Sequence, residues 1–484
     1  MVIELLRSSG RTFVKSLVLM GTALLLAGCT TTQETDTTPG SRPNIVVIVS
    51  DDAGYIDFGA YGGAQIPTPH IDSIARDGVR FTQGYVTASV CAPSRAGLLT
   101  GRYQQRFGHE FNGPNDPVPG YSLDDMGLDP SEVTVAEALR EEGYRTMAVG
   151  KWHMGTQERF HPSRHGFDEF FGMLSGGRSY FPFDTEKVPA GRALLRNRDV
   201  VPEQEVTYTT DMFSDEAVSF IRRTKEQPFF LYLAYNAVHT PMHAKEEDLS
   251  VFQEIEDELR RIYAAMTRSL DEGVGRVLDA LDQEGLADDT LLFFINDNGG
   301  ATNNGSNNGP LRGMKGSKWE GGIRVPFMLR FPEKVPAGIT FDRPVSSLDI
   351  FATCVNAARG SLMAQSNLDG VNLLPFLDGS VVGEPHEMLF WRRGVAAAVR
   401  AGDWKLIRSE SNPTLLFNLA QDLGETENLA LEHPDLVNRL LAALEGWESG
   451  LAPPKWTEGE MWERNQVMKH RMEVSSREME REYP

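Results

Sequence analysis

From Asn44 onward the chain alternates short apolar runs with longer stretches of helical periodicity. NIVVIVS (44–50), RTMAVG (145–150), PFFLYLAYN (228–236) and TLLFFIN (290–296) are dominated by β-branched, aromatic and other apolar residues. Strands covered on both faces read this way, whereas strands with one wet face alternate. VTVAEALREEGY ahead of the second run, and a long amphipathic stretch ahead of the fourth, read as helices. The order predicts an α/β fold, a large mixed, mainly parallel sheet flanked by helices, over 43–375. The chain is loop-like near 360–385, and beyond it MLFWRR, GVAAAVRAG, WKLIRS and TLLFNL predict a short antiparallel sheet. A helix in HPDLVNRLLAALEGWESG completes a smaller C-terminal α+β domain over 376–454. The charged tail, 455–484, is rich in Glu, Arg and Met and is expected to be a partly helical surface extension or to lack fixed structure. No internal repeat is present.

Ahead of this region, residues 1–28 read as a signal peptide, with basic Arg7, Arg11 and Lys15 before the apolar run Leu17 to Leu26. That run is too short to span a bilayer. It closes on Leu26-Ala27-Gly28-Cys29, which resembles a bacterial lipobox and implies cleavage before Cys29 and lipid on its thiol. The alternative is an ordinary secretory signal that contains a cysteine. Thr30, where inner-membrane retention would favour aspartate, points to an outer-membrane lipoprotein of a Gram-negative cell envelope, facing the periplasm or the cell surface. The polar, Thr-rich residues from there to 42 suit a flexible tether.

With 47 basic and 68 acidic residues the formal net charge is −21, which argues against nucleic acid and against adhesion to an anionic lipid surface. Only three cysteines occur, Cys29, Cys91 and Cys354, so an exported chain with Cys29 lipidated has at most one pair left, and none if Cys91 is itself modified, which leaves no disulfide framework to lean on. Cys354, in the apolar helical pattern SLDIFATCVNAA, is expected to be an inert core residue.

In open α/β sheets ligands bind beyond the carboxyl ends of the strands, so the residues just after each run matter. The first run ends in Asp51 and Asp52, and the fourth in Asp297 and Asn298. RTMAVG leads into Lys151, Trp152 and His153, and FFLYLAYNAV into His239. Any one of these is as well explained by a surface turn, but the four together weaken that explanation. Three carboxylates and an amide oxygen, without a Cys/His cluster, suit a hard cation such as Ca²⁺ or Mg²⁺. Cys91 precedes the helix-like run SRAGLLTGRY, with Ser94 the expected N-cap, and a helix N-terminus favours an anion. Arg95, Lys151 and Lys315 add positive charge.

Cys91-Ala-Pro-Ser-Arg95 followed by AGLLTGR resembles the type I sulfatase signature, and LRGMKGSKWEGGIRVP (311–326) resembles the second signature of that family. DDAGYIDFGAYG, PTPHID, GYRTMAVGKWHMG, AVHTPMH, DNGG, AVRAGDWKLI and NLAQDLGETENLA extend the resemblance from Asn44 to about Ala430. It implies the alkaline phosphatase-like fold and a sulfuric ester hydrolase, with a maturating enzyme as partner that converts Cys91 to 3-oxoalanine (formylglycine). It also implies one Ca²⁺ held by Asp51, Asp52, Asp297 and Asn298, with residue 91 completing the contacts. By the same resemblance the formylglycine hydrate attacks sulfur and Asp297 is the base. Lys315 and His239 stabilise and protonate the departing alcohol, Lys151 grips the sulfate, His153 deprotonates the second hydroxyl so that sulfate leaves, and Arg95 orients the diol.

The loops RYQQRFGHEFN and GFDEFFGMLSGGRSYF, with His109, Asn112, His165, Arg178 and Tyr180, resemble loops of sulfatases acting on sugar sulfates. Sugar contact and ordinary loop packing both remain open for them. The expectation is a carbohydrate sulfatase, with algal galactan, ulvan or galactosamine 4-sulfate among the candidate substrates. The alternatives are a phosphodiesterase or phosphonate hydrolase of the same superfamily, and a non-catalytic glycan-binding lipoprotein.

Overall fold

The computed structural model describes residues 42–113, 120–184, 188–189, 191–360 and 367–475. The expected signal peptide, Cys29 and the tether up to residue 41 lie outside them. All described residues belong to one compact unit.

In chain order the strands are β1 (Asn44–Ser50), β2 (Val79–Phe81), β3 (Gly84–Tyr85), β4 (Arg145–Lys151), β5 (Glu169–Met173), β6 (Leu195–Arg196), β7 (Asp199–Val200) and β8 (Phe229–Ala234). They continue with β9 (Thr290–Asn296), β10 (Phe327–Arg330), β11 (Ile339–Phe341), β12 (Val345–Ser346), β13 (Met388–Arg393), β14 (Ala396–Ala401), β15 (Trp404–Ser409) and β16 (Leu415–Asn418). Ten of them form one sheet in the order β11-β2-β10-β9-β1-β8-β4-β5-β6-β7. Its centre, β9-β1-β8-β4-β5, is parallel throughout, with Val47 level with Phe293 on one side and Tyr232 on the other. β10 runs antiparallel to both β9 and β2, which makes the sheet mixed. The four apolar runs of the sequence are therefore its four central strands, buried throughout except at Arg145, the first residue of β4.

The pleat of β1 divides the interior. Ile45, Val47 and Val49 pack with the helices Cys91–Thr100, Val135–Glu141 and Asp349–Ala357. Val46 and Ile48 pack with Pro69–Arg76, Thr209–Thr224 and Glu258–Gln283 on the other face. Each such aliphatic side chain contributes about 1.5–3 kcal/mol on burial, which suits a fold in which both described cysteines, Cys91 and Cys354, are free. Cys354 is fully buried in the first of these layers.

β13 to β16 form the expected antiparallel sheet, followed by the helix Pro434–Glu448. One face of this sheet packs on that helix through Val399, Leu406 and Leu440. The other packs through Trp391, Ala398 and Ile407 on Met314, Trp319 and Ile323, so it backs the loop that carries Lys315.

Two local expectations are corrected. Ser94 is not an N-cap: the helix begins at Cys91, capped by the extended backbone of Val90, and Ser94 lies in its first turn with its N–H on Val90 O. Pro93 fits there because a first-turn residue needs no N–H partner within the helix. The tail is not a surface extension as far as residue 475. It forms the helix Glu460–Lys469, and Trp456, Gln466, Lys469 and His470 are buried. Trp319 Nε1 donates to Lys469 O (2.7 Å) and the Lys318 N–H donates to His470 Nε2 (2.8 Å), so the segment is tied down by hydrogen bonds rather than by an apolar stripe.

Candidate active site

Because β9, β1, β8 and β4 are neighbours in the sheet, strands about 4.8 Å apart deliver polar residues from their carboxyl ends to one place. Asp51 and Asp52 follow β1, Asp297 and Asn298 follow β9, His239 follows β8, and Lys151 is the last residue of β4. The N-terminus of the helix Cys91–Thr100 approaches the same point. One ligand atom each from Asp51, Asp52, Cys91 and Asp297 falls within 4.8 Å of the others, and all four residues are buried. Cys91 Sγ is 3.6 Å from Asp51 Oδ1.

Cations surround these acids. Lys151 Nζ lies 2.6 Å from Asp51, and Lys315 Nζ lies 2.7 and 2.8 Å from the two oxygens of Asp52. Arg95 donates through Nε to Asp297 Oδ2 (3.0 Å) and through Nη1 to the carbonyl of Lys151 (3.0 Å), and its Nη2 pairs in charge with the same Asp297 oxygen at 2.8 Å. Burial, and then the neighbouring Asp297, push Asp51 well above the usual carboxylate range despite Lys151. For Asp52 burial acts in the same direction, but Lys315, His239 and Lys151 outweigh it and hold the group low.

A hard cation fits this donor set. Besides the three carboxylates, Asn298 Oδ1 is buried without a hydrogen-bond partner among the described residues, while its Nδ2 donates to Asp52 Oδ1 (2.7 Å). An acceptor left bare in the interior costs about 1–3 kcal/mol, and a cation held by the adjoining acids is a group that would satisfy it.

The histidines stand at the edge of the cluster. His239 Nδ1 lies 2.6 Å from Thr240 O, so Nδ1 carries the proton and Nε2, 3.6 Å from Asp52 Oδ2, is the open ring nitrogen. Burial lowers its pKa, although Asp51 pulls the other way. His153 is also pushed down by burial, then by Lys151 and Arg95, and its Nδ1 has no partner among the described residues. Asp52 (φ 60°) and His153 (φ 58°) both adopt left-handed backbone conformations, which for side-chain-bearing residues cost about 1–2 kcal/mol and gather at functional sites. A Cβ on Gly176 would lie 2.5 Å from His153 Nε2, so only glycine allows that loop to close on the imidazole.

The cluster opens into a cavity of about 270 Å³ lined by Asp52, His239 and Lys315 from the cluster and by Asn112, Arg393 and Trp462 from other segments. All the residues expected from the sequence at the strand ends are thus brought together. The loop residues mostly are not. His109 stacks edge-on against Trp456 (4.9 Å), and His165 is buried beside Trp152 (5.6 Å). Arg178 is buried on Glu203 (3.0 Å), and Tyr180 donates to His239 O (2.9 Å). These four pack the loops, and only Asn112 lines the cavity. Residues not anticipated are Asn304, whose amide clamps Asp52 O and Val238 O (3.0 Å each), and Arg393, Trp462 and Lys469 on the cavity wall. A lone asparagine in a Gly/Asn-rich loop, or cations in a charged tail, carry no signal in a single sequence.

The sequence matches the family model described as Sulfatase over residues 43–361. It is 31% identical to the steryl-sulfatase of Mus musculus, over 86% of this chain and 84% of that protein. It is 33% identical to the N-acetylgalactosamine-6-sulfatase of Rattus norvegicus, over 75% of this chain and 71% of that protein. The crystal structure of Ps i-CgsB in complex with k-i-k-neocarrahexaose superposes with a TM-score of 0.81 at 36% identity, over 87% of this chain and 95% of that one.

Proposed function

The chain belongs to the sulfatase family and is a sulfuric ester hydrolase, and from that premise we propose that it removes sulfate from a sulfated carbohydrate, using Cys91 after conversion to formylglycine and one Ca²⁺. The observation that carries this reading is the geometry around Cys91. The thiol opens a helix N-terminus, lies against three carboxylates, and is ringed by Arg95, Lys151 and Lys315 in a chain whose net charge is −21. The sugar substrate is supported by the similarity to Ps i-CgsB, known in complex with k-i-k-neocarrahexaose, and by a cavity wall that offers Trp462 beside polar groups.

Asp51, Asp52, Asp297 and Asn298 would hold the ion, with residue 91 against it. The ion and the converted residue together supply an acidified hydroxyl nucleophile and a counter-charge for sulfuryl oxygens. The chain's own groups do the rest. Arg95, fixed by Asp297 and the Lys151 carbonyl, holds the loop of residue 91 in register. Lys315, facing the cavity, and Lys151 behind it stabilise charge that develops on the sulfate and on the departing oxygen. His239 Nε2 is placed to exchange a proton with the departing alcohol, because its other nitrogen is committed to Thr240. His153, caged by Gly176, has one buried nitrogen free to accept a proton as sulfate is released.

Two measurements test this. Sulfate release from purified sulfated galactose oligosaccharides is expected to exceed hydrolysis of the corresponding phosphate esters, and the reverse order would favour the phosphodiesterase reading. Gly176→Ala is expected to lower kcat roughly 10²-fold by displacing His153, with Tm near that of the wild type. An unchanged kcat would remove His153 from the reaction.

A further inference from the structure

Beyond the catalytic cluster, the tail helix and β13 build a second basic site over Gly316, the residue after Lys315. A Cβ added at Gly316 would lie 3.4 Å from Lys469 Nζ, 3.7 Å from Arg393 Nη1 and 3.7 Å from Gln466 Nε2. Gly316 itself has φ +86°. Its missing side chain therefore leaves a space onto which three nitrogen donors converge, at the wall of the same cavity as Lys315 and His239.

These donors are buried and under-used. Arg393, Gln466 and Lys469 are 2%, 3% and 4% exposed. Both amide atoms of Gln466 and Nε of Arg393 have no hydrogen-bond partner among the described residues. Arg393 pairs with Glu458 through Nη2, and its guanidinium sits 5.9 Å from the ring centres of both Phe111 and Trp462. Among the described residues, the nearby buried Lys318 has only Ser89 Oγ for its ammonium (3.3 Å). Burial, followed by Arg393, pushes Lys469 down to about 8 and Lys318 down to about 7, as expected where cations outnumber acids. Glu458, on the same wall, answers Arg393, while Lys469 and Lys318 have no ion-pair partner among the described residues; a buried cation without counter-charge is costly, and in a chain of net charge −21 the surplus is local.

We propose that Lys469, Arg393 and Gln466 form a specificity site for a second anionic group, a sulfate or a carboxylate, carried by the same saccharide whose scissile sulfate faces Lys315 and His239. The proposal rests on the sulfatase reading and narrows its substrate to a polyanionic saccharide. Trp462, on the same wall, offers an apolar face to the sugar ring between the two anions. The donor set is planar and forked at Arg393 and pointlike at Lys469, which suits the oxygens of either anion. An aryl or steroid sulfate has no group to place there.

The test is binding to full-length Cys91→Ala protein, which needs no turnover. The probes are a singly sulfated galactose disaccharide, its doubly sulfated counterpart, and a singly sulfated disaccharide bearing a uronate. The doubly charged probes are expected to bind at least ~10-fold tighter than the singly sulfated one, and the larger gain tells sulfate from carboxylate. Lys469→Met in the same background keeps the side-chain stem and the carbonyl that Trp319 uses, and is expected to erase the gain, while Lys469→Arg retains it. Gln466→Leu, which loses the amide without touching a charge, is expected to reduce the gain. Equal affinity for all three probes, or a full gain in a Lys469→Met protein of unchanged Tm, would overturn the proposal. Failure of the sulfatase reading is read separately, as no sulfate release from any probe by the mature wild-type enzyme.

Discussion

Cys91→Ser is expected to lose multiple turnover, with steady-state sulfate release falling by roughly 10³-fold or more and at most one equivalent of alcohol released per enzyme. The substitution exchanges a single atom at a fully buried position, so packing and Tm should barely change. The serine hydroxyl would face the same carboxylates, Arg95 and Lys315 that surround the thiol, so attack on sulfur has its electrostatic support. A serine sulfate ester, however, has no second hydroxyl from which a base such as His153 can take a proton to expel sulfate. Alcohol and sulfate are therefore quantified separately, and a burst of alcohol without matching sulfate is the expected signature. Continuous release of both at the wild-type rate would show that residue 91 needs no conversion. The mass of the wild-type peptide containing Cys91 gives the complementary reading, since conversion exchanges sulfur for oxygen and lowers it.

Calcium is expected to raise the Tm of the wild-type protein by several degrees, and a chelator to reverse the rise. Two unit charges 4 Å apart interact by about 4 kcal/mol at an effective dielectric of 20, so the crowding of Asp51, Asp52 and Asp297 matters even with cations nearby. Arg95, Lys151 and Lys315 balance these acids in number, yet burial and Asp297 still disfavour the charge on Asp51, and Asn298 Oδ1 stays bare. A divalent cation answers both, and it leaves the cluster net positive, as an anionic substrate requires. At a hundredfold excess over Kd the ion stabilises the fold by about 2.7 kcal/mol. Magnesium, which demands tighter octahedral geometry and gives up water reluctantly, should shift Tm less. Asp297→Asn is expected to abolish the shift, and an equal Tm with calcium and with chelator would remove the ion from this site. The two acids respond to pH with opposite signs: Asp51, whose native pKa is raised, costs stability as pH rises above the ordinary carboxylate value, whereas Asp52 adds it. The native pKa of Asp52 lies below the ordinary value, so its pairing with Lys315 stabilises the fold above the ordinary carboxylate range and is lost as pH falls through the depressed one.

How much is legible in the sequence depends on how locally each feature is encoded. The strands β1, β4, β8 and β9 are legible because a strand covered on both faces must be apolar throughout. Asp51, Asp52, Asp297, Asn298 and Lys151 are legible because each sits at or just beyond the end of such a run. The start of the helix at Cys91 is not, because Ser94 has the chemistry of a cap and only the backbone shows that the extended Val90 takes that place. His109, His165, Arg178 and Tyr180 look like ligand groups because a buried polar residue and a binding one are the same letter, and only their partners, Trp456, Trp152, Glu203 and the His239 carbonyl, tell them apart.

What the sequence determined by itself was the set of chemical parts and their order: apolar runs long enough to be central strands, acids and bases stationed at their ends, and a cysteine in a signature of its own. Those are short-range properties, carried by neighbours along the chain. The tertiary structure alone decided that the tail from Trp456 to His470 folds back over Lys315, so that Arg393 and Lys469, 76 residues apart in the numbering, share one space above Gly316. That arrangement depends on hydrogen bonds and charge balance between distant segments, and such terms leave no periodicity in the sequence for any local reading to find.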